Sequence, residues 1–218
     1  MTPTTPTTPM TTETELRAQT RAERERLAAL LAGLTEEQWD TPSLCAGWRV
    51  REVVAHITMP FRTSTPRFAA GLVAARFSFN RFADHVARRD GAGMTPDELL
   101  GTLRDNIGHP WQPPGGGPAA ALSHDVIHGL DITEPLGLPP APSERIATVL
   151  AHSSPRALAF FGVDLTGIEL RATDADLRLG TGRVVELPVK DILLTVTGRR
   201  PAPRQDTEAA GEVPVSDG

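Results

Sequence analysis

Trp48-Arg49-Val50-Arg51-Glu52-Val53-Val54-Ala55-His56-Ile57 is the stretch on which the reading of this chain turns. Val50, Val53, Val54 and Ile57 fall at spacings of three and four, which is the buried stripe of an amphipathic helix. The helix is expected to begin near Trp48 and to end or kink at Pro60, whose ring removes a backbone donor. His56 lies one residue off that stripe, on a flank that faces the interior of a helical bundle. An imidazole in such a place is costly to leave without a partner.

The same period extends on both sides. Upstream, Thr12 opens a helix with Glu13 and Glu15 in its first turn, and Leu16, Thr20, Leu27, Leu30, Leu31 and Leu34 mark its apolar face. Thr35 with Gln38 is a capping box for a short turn near Trp39. Downstream, one long helix is expected from Pro66 to Asp90-Gly91, another from Thr95-Pro96, and a third over about Ala119–Leu130. The run Pro110–Pro118 between the last two is too rich in Pro and Gly to be helix. Helices in this number with mostly short connections predict an antiparallel bundle.

Past Pro139, Pro140 and Pro142 the pattern changes. Ser143 is read as the cap of a helix to about Gly162. Alternating segments follow at 167–172, 175–179 and 183–187, then a last helix at 189–198. The expected organisation is a tail at 1–11, a helical bundle at 12–138, a small α+β unit at 143–200 and a second tail at 201–218. Both tails are polar or Thr/Pro-rich and are expected to be disordered. The fold class is therefore mainly α with a small C-terminal α+β unit.

Composition narrows the functions. The 218 residues carry 22 basic and 27 acidic side chains, a net charge of −5. That balance speaks against nucleic acid as a partner. No apolar run is long enough to span a bilayer, and the Thr/Pro-rich start has neither the basic nor the apolar region of a secretory signal. No membrane partner is expected. A single cysteine, Cys45, fits a reducing cytoplasm and a packed, inert thiol.

Among the six histidines, His124 and His128 stand one helical turn apart, so their rings project from one face with Cβ atoms about 6 Å apart. Two neutral imidazoles so placed reach one ion at roughly 2.0–2.1 Å each. The alternative is a core histidine satisfied by a backbone carbonyl, and for His56 and His128 both readings stand. With His56 from a separate helix the three make a candidate His₃ site, which leaves a divalent metal an open position for chemistry. His124-Asp125-Val126-Ile127-His128 shares its spacing with the H-E-x-x-H peptidase motif, but has Asp at the base position and no third ligand downstream. Asp125 and Asp131 are candidates to orient imidazole N–H groups. His85 and His109 read as solvated. Trp39 and Trp48 read as core anchors, Trp111 as the edge of a pocket, and Arg199 as either an anion contact or ordinary charge at a helix end.

The segment Trp39-Asp40-Thr41-Pro42-Ser43-Leu44-Cys45-Ala46-Gly47-Trp48 through Ile57 resembles the signature of the mycothiol-dependent maleylpyruvate isomerase family, among the DinB-like metal-binding four-helix bundles. His124–Ile132 resembles that family's second metal segment, and 172–182 with Thr197-Gly198-Arg199 resembles its compact C-terminal part. The resemblance spans roughly residues 13 to 200. It implies a DinB-like antiparallel four-helix bundle holding one divalent cation, usually zinc, on His56, His124 and His128, with mycothiol as co-substrate. The implied partners are a low-molecular-weight thiol and a small-molecule electrophile. The implied reaction is addition of a metal-bound thiolate to an activated alkene, giving cis–trans isomerisation. The characterised isomerase pattern has Glu where this chain has His124. The three-histidine set matches other DinB-like thiol-dependent enzymes, so S-transfer stands beside isomerisation, and a non-catalytic metal- or ligand-binding bundle beside both.

Overall fold

A computed structural model describes residues 11–153 and 161–203. The expected tails at 1–11 and 201–218 lie almost wholly outside these residues. The helix expected from Ser143 to about Gly162 ends instead at Ala151, where the His152 N–H donates to Thr148 O at 3.1 Å. Among the described residues the chain is mainly helical. Its helices are α1 (Glu13–Leu31), α2 (Glu36–Trp39), α3 (Val50–Arg62), α4 (Thr65–Ala74), α5 (Phe79–Gly93), α6 (Pro96–Asp105), α7 (Gly117–Leu136), α8 (Ser143–Ala151) and α9 (Val189–Val196). Between α8 and α9 lie β1 (Ile168–Ala172), β2 (Arg178–Gly180) and β3 (Arg183–Leu187). No described helix is long and apolar enough to cross a membrane.

Local chemistry sets the helix starts. Thr12, Thr35 and Thr95 each accept from the backbone N–H three residues on, and Glu15, Gln38 and Glu98 answer to the cap's own N–H. Each capping box satisfies two otherwise unpaired donors. α8 differs from expectation, because Pro142 is its cap. The Ser143 hydroxyl turns instead to Asp174 Oδ2 at 2.7 Å and ties α8 to the segment after β1.

Three further expectations are corrected. The long helix after Pro66 is two helices. Arg76 and Phe77 take φ of 53° and 59°, the left-handed region, and the Phe77 N–H donates back to Leu72 O at 2.8 Å. That closes α4, and Ser78 caps α5. α7 runs beyond Leu130 to Leu136, where Gly137 at φ 63° ends it. Pro135 sits inside α7 and lacks the N–H that would bond the Asp131 carbonyl four residues back. Leu44 N–H supplies that bond at 3.1 Å and pins the loop before α3 onto α7. Pro60 likewise does not end α3, which runs on to Arg62, whose guanidinium donates to Ala55 O at 2.8 Å.

α7 is shared between two cores. Ile132 belongs to one core with Leu27 and Leu31 of α1, Val50, Val53 and Ile57 of α3, and Leu99 and Leu103 of α6. Leu122, Val126 and Leu130 join the other, with Ile146 and Leu150 of α8, Ile168 and Leu170 of β1, and Ile192 and Leu193 of α9. The sheet has order β2-β1-β3, antiparallel to β2 and parallel to β3. The C-terminal elements thus bury their apolar faces against α7, as so small a unit must. This packing aims His124 and His128 at α3.

Candidate metal centre

α3 carries His56, and α7 carries His124 and His128. The structure brings the three rings together, with centroids 4.8–5.2 Å apart. His124 Nε2 and His56 Nε2 stand 3.3 Å apart. One ring nitrogen from each of the three lies within 4.8 Å of the others. His85 lies exposed on α5, and His109 sits in the loop before α7 against Phe61. Neither joins the cluster.

Behind two of the rings stand buried carboxylates. Asp125 Oδ1 accepts from His124 Nδ1 at 2.9 Å, and Asp131 Oδ2 from His128 Nδ1 at 2.9 Å. A carboxylate can only accept, so the proton sits on Nδ1 in both and Nε2 is the unprotonated nitrogen. Each carboxylate is in turn held by an arginine. Arg24 of α1 donates Nε to Asp125 Oδ2 at 2.7 Å and Nη1 to His109 O at 2.7 Å. Arg199, just past α9, forks onto Asp131 with Nε–Oδ1 at 2.8 Å and Nη2–Oδ2 at 2.9 Å. Such outer partners fix the orientation and basicity of a metal-ligating imidazole.

The electrostatics favour neutral rings at His56 and His128. Burial pushes His56 well below its ordinary value, and the neighbouring His128 and His124 add to that. Burial lowers His128 too, against the opposing pull of Asp131. Burial alone would raise Asp131, yet the Arg199 and His128 hydrogen bonds hold it far below the usual carboxylate range. Neutral imidazole is the form that binds a metal.

Cys45, His128 and Asp131 form a second close group. Its polar atoms are already engaged: the Cys45 thiol donates to Asp131 Oδ2 at 3.0 Å, and the same carboxylate serves His128 and Arg199. Burial and then the Asp131 charge push the thiol far up, so it stays protonated. This group is a hydrogen-bonded network behind His128.

The three imidazoles fit one divalent cation. His56 Nδ1 is buried with no hydrogen-bond partner, and the Nε2 atoms of the other two rings face the shared space. Three neutral nitrogen donors suit zinc and leave a coordination position open. Two indoles wall the cluster, Trp48 against His56 and Trp111 against His124, each with centroids 5.2 Å apart. Trp48 is therefore more than the core anchor expected, and its Nε1 donates to Asp84 at 2.7 Å. Beyond Trp111 lies a cavity of about 250 Å³ lined by Arg17, Arg21, Arg24 and His109.

Sequence reasoning missed Arg24. Its signal was present, since Leu16, Thr20, Arg24, Leu27 and Leu31 complete one buried stripe of α1. An arginine at a core position requires a buried acid opposite it. Arg199 was in view, but its partner is Asp131, a buried residue of α7.

Residues 20–109 match the family model described as the mycothiol maleylpyruvate isomerase N-terminal domain. Uncharacterised proteins of two Mycobacterium tuberculosis strains are 28% identical over 231 residues, covering 89% of this chain and 89% of theirs. No solved structure matches the chain. The match takes in α3 and His56 together with the Trp39–Ile57 segment that carries the resemblance, and over that part of the chain it supports a likeness to the mycothiol maleylpyruvate isomerase family.

Proposed function

We propose that this protein is a metal-dependent, mycothiol-using enzyme in which His56, His124 and His128 hold one divalent cation, zinc by the donor set. In this reading α1, α3, α7 and the intervening α5–α6 pair form a DinB-like antiparallel four-helix bundle. Residues 12–138 are its metal-holding part, and 143–200 are the C-terminal unit docked on α7. The observation that carries the reading is the convergence of three imidazoles, of which His124 and His128 are each backed by an arginine-locked carboxylate.

When bound, such an ion acts as a Lewis acid that stabilises a small-molecule thiolate near neutral pH. The chain's own residues do the rest. Asp125 and Asp131 hold the Nδ1 protons of His124 and His128 and leave Nε2 as the donor atom. Arg24 and Arg199 neutralise those carboxylates, so the centre keeps its positive charge. Trp48 and Trp111 exclude water from two sides, which strengthens electrostatic interactions between them. Cys45, held protonated, does not compete as a nucleophile, so the reactive sulfur comes from the thiol co-substrate.

The reaction is addition of the thiolate to an activated alkene, rotation about the resulting single bond, and elimination to the trans isomer. S-transfer to an electrophile is the second reading, favoured by His124 standing where the isomerase pattern has Glu. Thiol-dependent loss of the enol absorbance of maleylpyruvate, with and without chelator, tests the first. A stable thiol adduct with no isomer formed would favour the second. Absence of turnover with metal and mycothiol across candidate electrophiles would overturn both and leave a binding module.

A further inference from the structure

A second cavity lies away from the histidine cluster, among the C-terminal end of α3, α4 and α5, with a volume of about 790 Å³. That is the size of a small-molecule site. Its rim is basic: Arg62, Arg67, Arg81, Arg89 and His85. The carboxylate nearest to hand, Asp90, is fully occupied, bonding Arg62 through Oδ2 and Arg89 through Oδ1. Among the described residues no ion pair joins Arg67 or Arg81 to an acid. The floor is apolar, built from Phe82, Val86, Ala70 and Ala74.

The sequence segregates charge in the same place. Between Glu52 and Asp84 there is no Asp or Glu, while Arg62, Arg67, Arg76 and Arg81 fall within that interval. An acid-free stretch of this length is unusual in a chain whose acidic residues outnumber its basic ones. α4 itself carries Phe68, Leu72 and Val73 yet has no buried residue. The end of α4, the turn after it and the start of α5 expose Val73 at 60%, Phe77 at 76% and Phe79 at 44%, next in sequence to the residues that line the cavity but not among them. Arg76 and Phe77 hold that turn in left-handed backbone without glycine, a strained arrangement of a kind that concentrates at functional sites. A cavity of this size with an apolar floor and a basic rim has the make-up of a ligand site.

We infer that this cavity binds one molecule of an amphiphilic organic anion, its carboxylate or phosphate head among Arg62, Arg67, Arg81 and Arg89 and its apolar body over Phe82 and Val86. Charge complementarity selects the head, because guanidinium groups match carboxylate and phosphate oxygens in pairs. The absence of a competing acid leaves Arg67 and Arg81 free to make those pairs. Gly71 sets the depth of the floor. A Cβ there would run into the Phe82 ring, so only glycine lets α4 lie this close to α5.

The test is calorimetric titration of the full chain with dodecyl phosphate below its micelle-forming concentration. One molecule should bind per chain, and raising the salt from about 0.05 to about 0.5 M should weaken binding several-fold by screening. Neutral dodecyl maltoside and inorganic phosphate should each bind at least about ten-fold more weakly, since each offers half of the recognition. Arg67→Glu with Arg81→Glu, both exposed, should weaken dodecyl phosphate by about ten-fold or more. Ala70→Trp, which fills the cavity and leaves every charge in place, should do the same. Equal binding of the neutral amphiphile, unchanged binding by the double variant, or binding only to anionic vesicles would each overturn the inference. So would a dimer that the double variant breaks and that binds no amphiphile, because a second copy would then own the surface. The titration needs neither metal nor thiol, so its failure leaves the proposed enzyme untouched.

Discussion

Arg199 and Asp131 lie 68 residues apart in sequence and close on each other through a two-pronged ion pair, 2.8 and 2.9 Å long, directly behind His128. Asp131 is fully buried, so its charge has no solvent to fall back on. Removing one partner of a buried pair typically costs about 3–5 kcal/mol. Arg199→Gln should therefore lower urea-derived stability by an amount near that range and weaken metal binding about ten-fold or more. Arg199→Lys keeps the charge and loses the fork, and should fall between the two. A variant as stable and as metal-competent as wild type would show that Asp131 is not held by this pair.

Metal content addresses the imidazoles themselves. The purified protein should carry about one divalent ion per chain by elemental analysis, and His128→Ala should lose most of it. Chelation should lower the melting temperature of wild type and leave that of His128→Ala nearly unmoved, because only wild type has a bound ion to lose. Equal metal in the two proteins would remove the site.

Arg24 supports the other side of the centre. Arg24→Met preserves bulk in the α1 core and leaves Asp125 buried without its cation. A loss of about 3 kcal/mol or more is expected in denaturant unfolding. Metal affinity should fall in the same variant, since His124 loses the anchored carboxylate that orients it. A stable Arg24→Met with weakened metal binding would locate the role in orientation; no change in either would argue that Asp125 is satisfied by His124 alone.

Cys45 is expected to matter little to the chemistry. Its thiol is held protonated and spends its hydrogen bond on Asp131. Cys45→Ala should keep thiol-dependent turnover within about two-fold, with a small stability loss from one hydrogen bond. A collapse of turnover with the metal retained would make Cys45 a participant.

Acid sensitivity should show at Glu52, one turn before His56 on α3. Burial pushes this carboxyl up, but the Arg49 side-chain and backbone hydrogen bonds outweigh it and hold it below its ordinary 4.5. A carboxylate whose folded pKa is depressed contributes stability above its unfolded pKa and loses it as pH falls through the folded one. Stability measured by urea titration should decline below about pH 4.5, and the Glu52→Gln chain should show a shallower decline there from a lower starting point. Parallel profiles would assign the acid sensitivity to other groups.

Much of this was open to reading in the sequence. Acids in the first turn after Thr12 located α1, the Thr35–Gln38 capping spacing located α2, Thr95-Pro96 located α6 and the 50–57 stripe located α3, because these depend on interactions inside one helix. The candidate ligands were legible for the same reason: a separation of four puts His124 and His128 on one helical face whatever surrounds them. The split between α4 and α5 was not legible, since Arg76 and Phe77 adopt a left-handed turn with no glycine to announce it. Nor was the end of α7, read at about Leu130, because the last turn through Pro135 holds only where the Leu44 N–H, from a loop distant in sequence, satisfies the Asp131 carbonyl.

By itself, the amino-acid order determined which segments are helical, which face of each is apolar and which imidazoles share a turn, all consequences of a 3.6-residue period acting over short range. Only the tertiary structure decided that His56 meets the other two rings, that Arg24 and Arg199 close on Asp125 and Asp131, and that a basic cavity opens beside α4. Those relationships join residues tens of positions apart, and their geometry follows from how α1, α3, α7 and the C-terminal unit share two apolar cores.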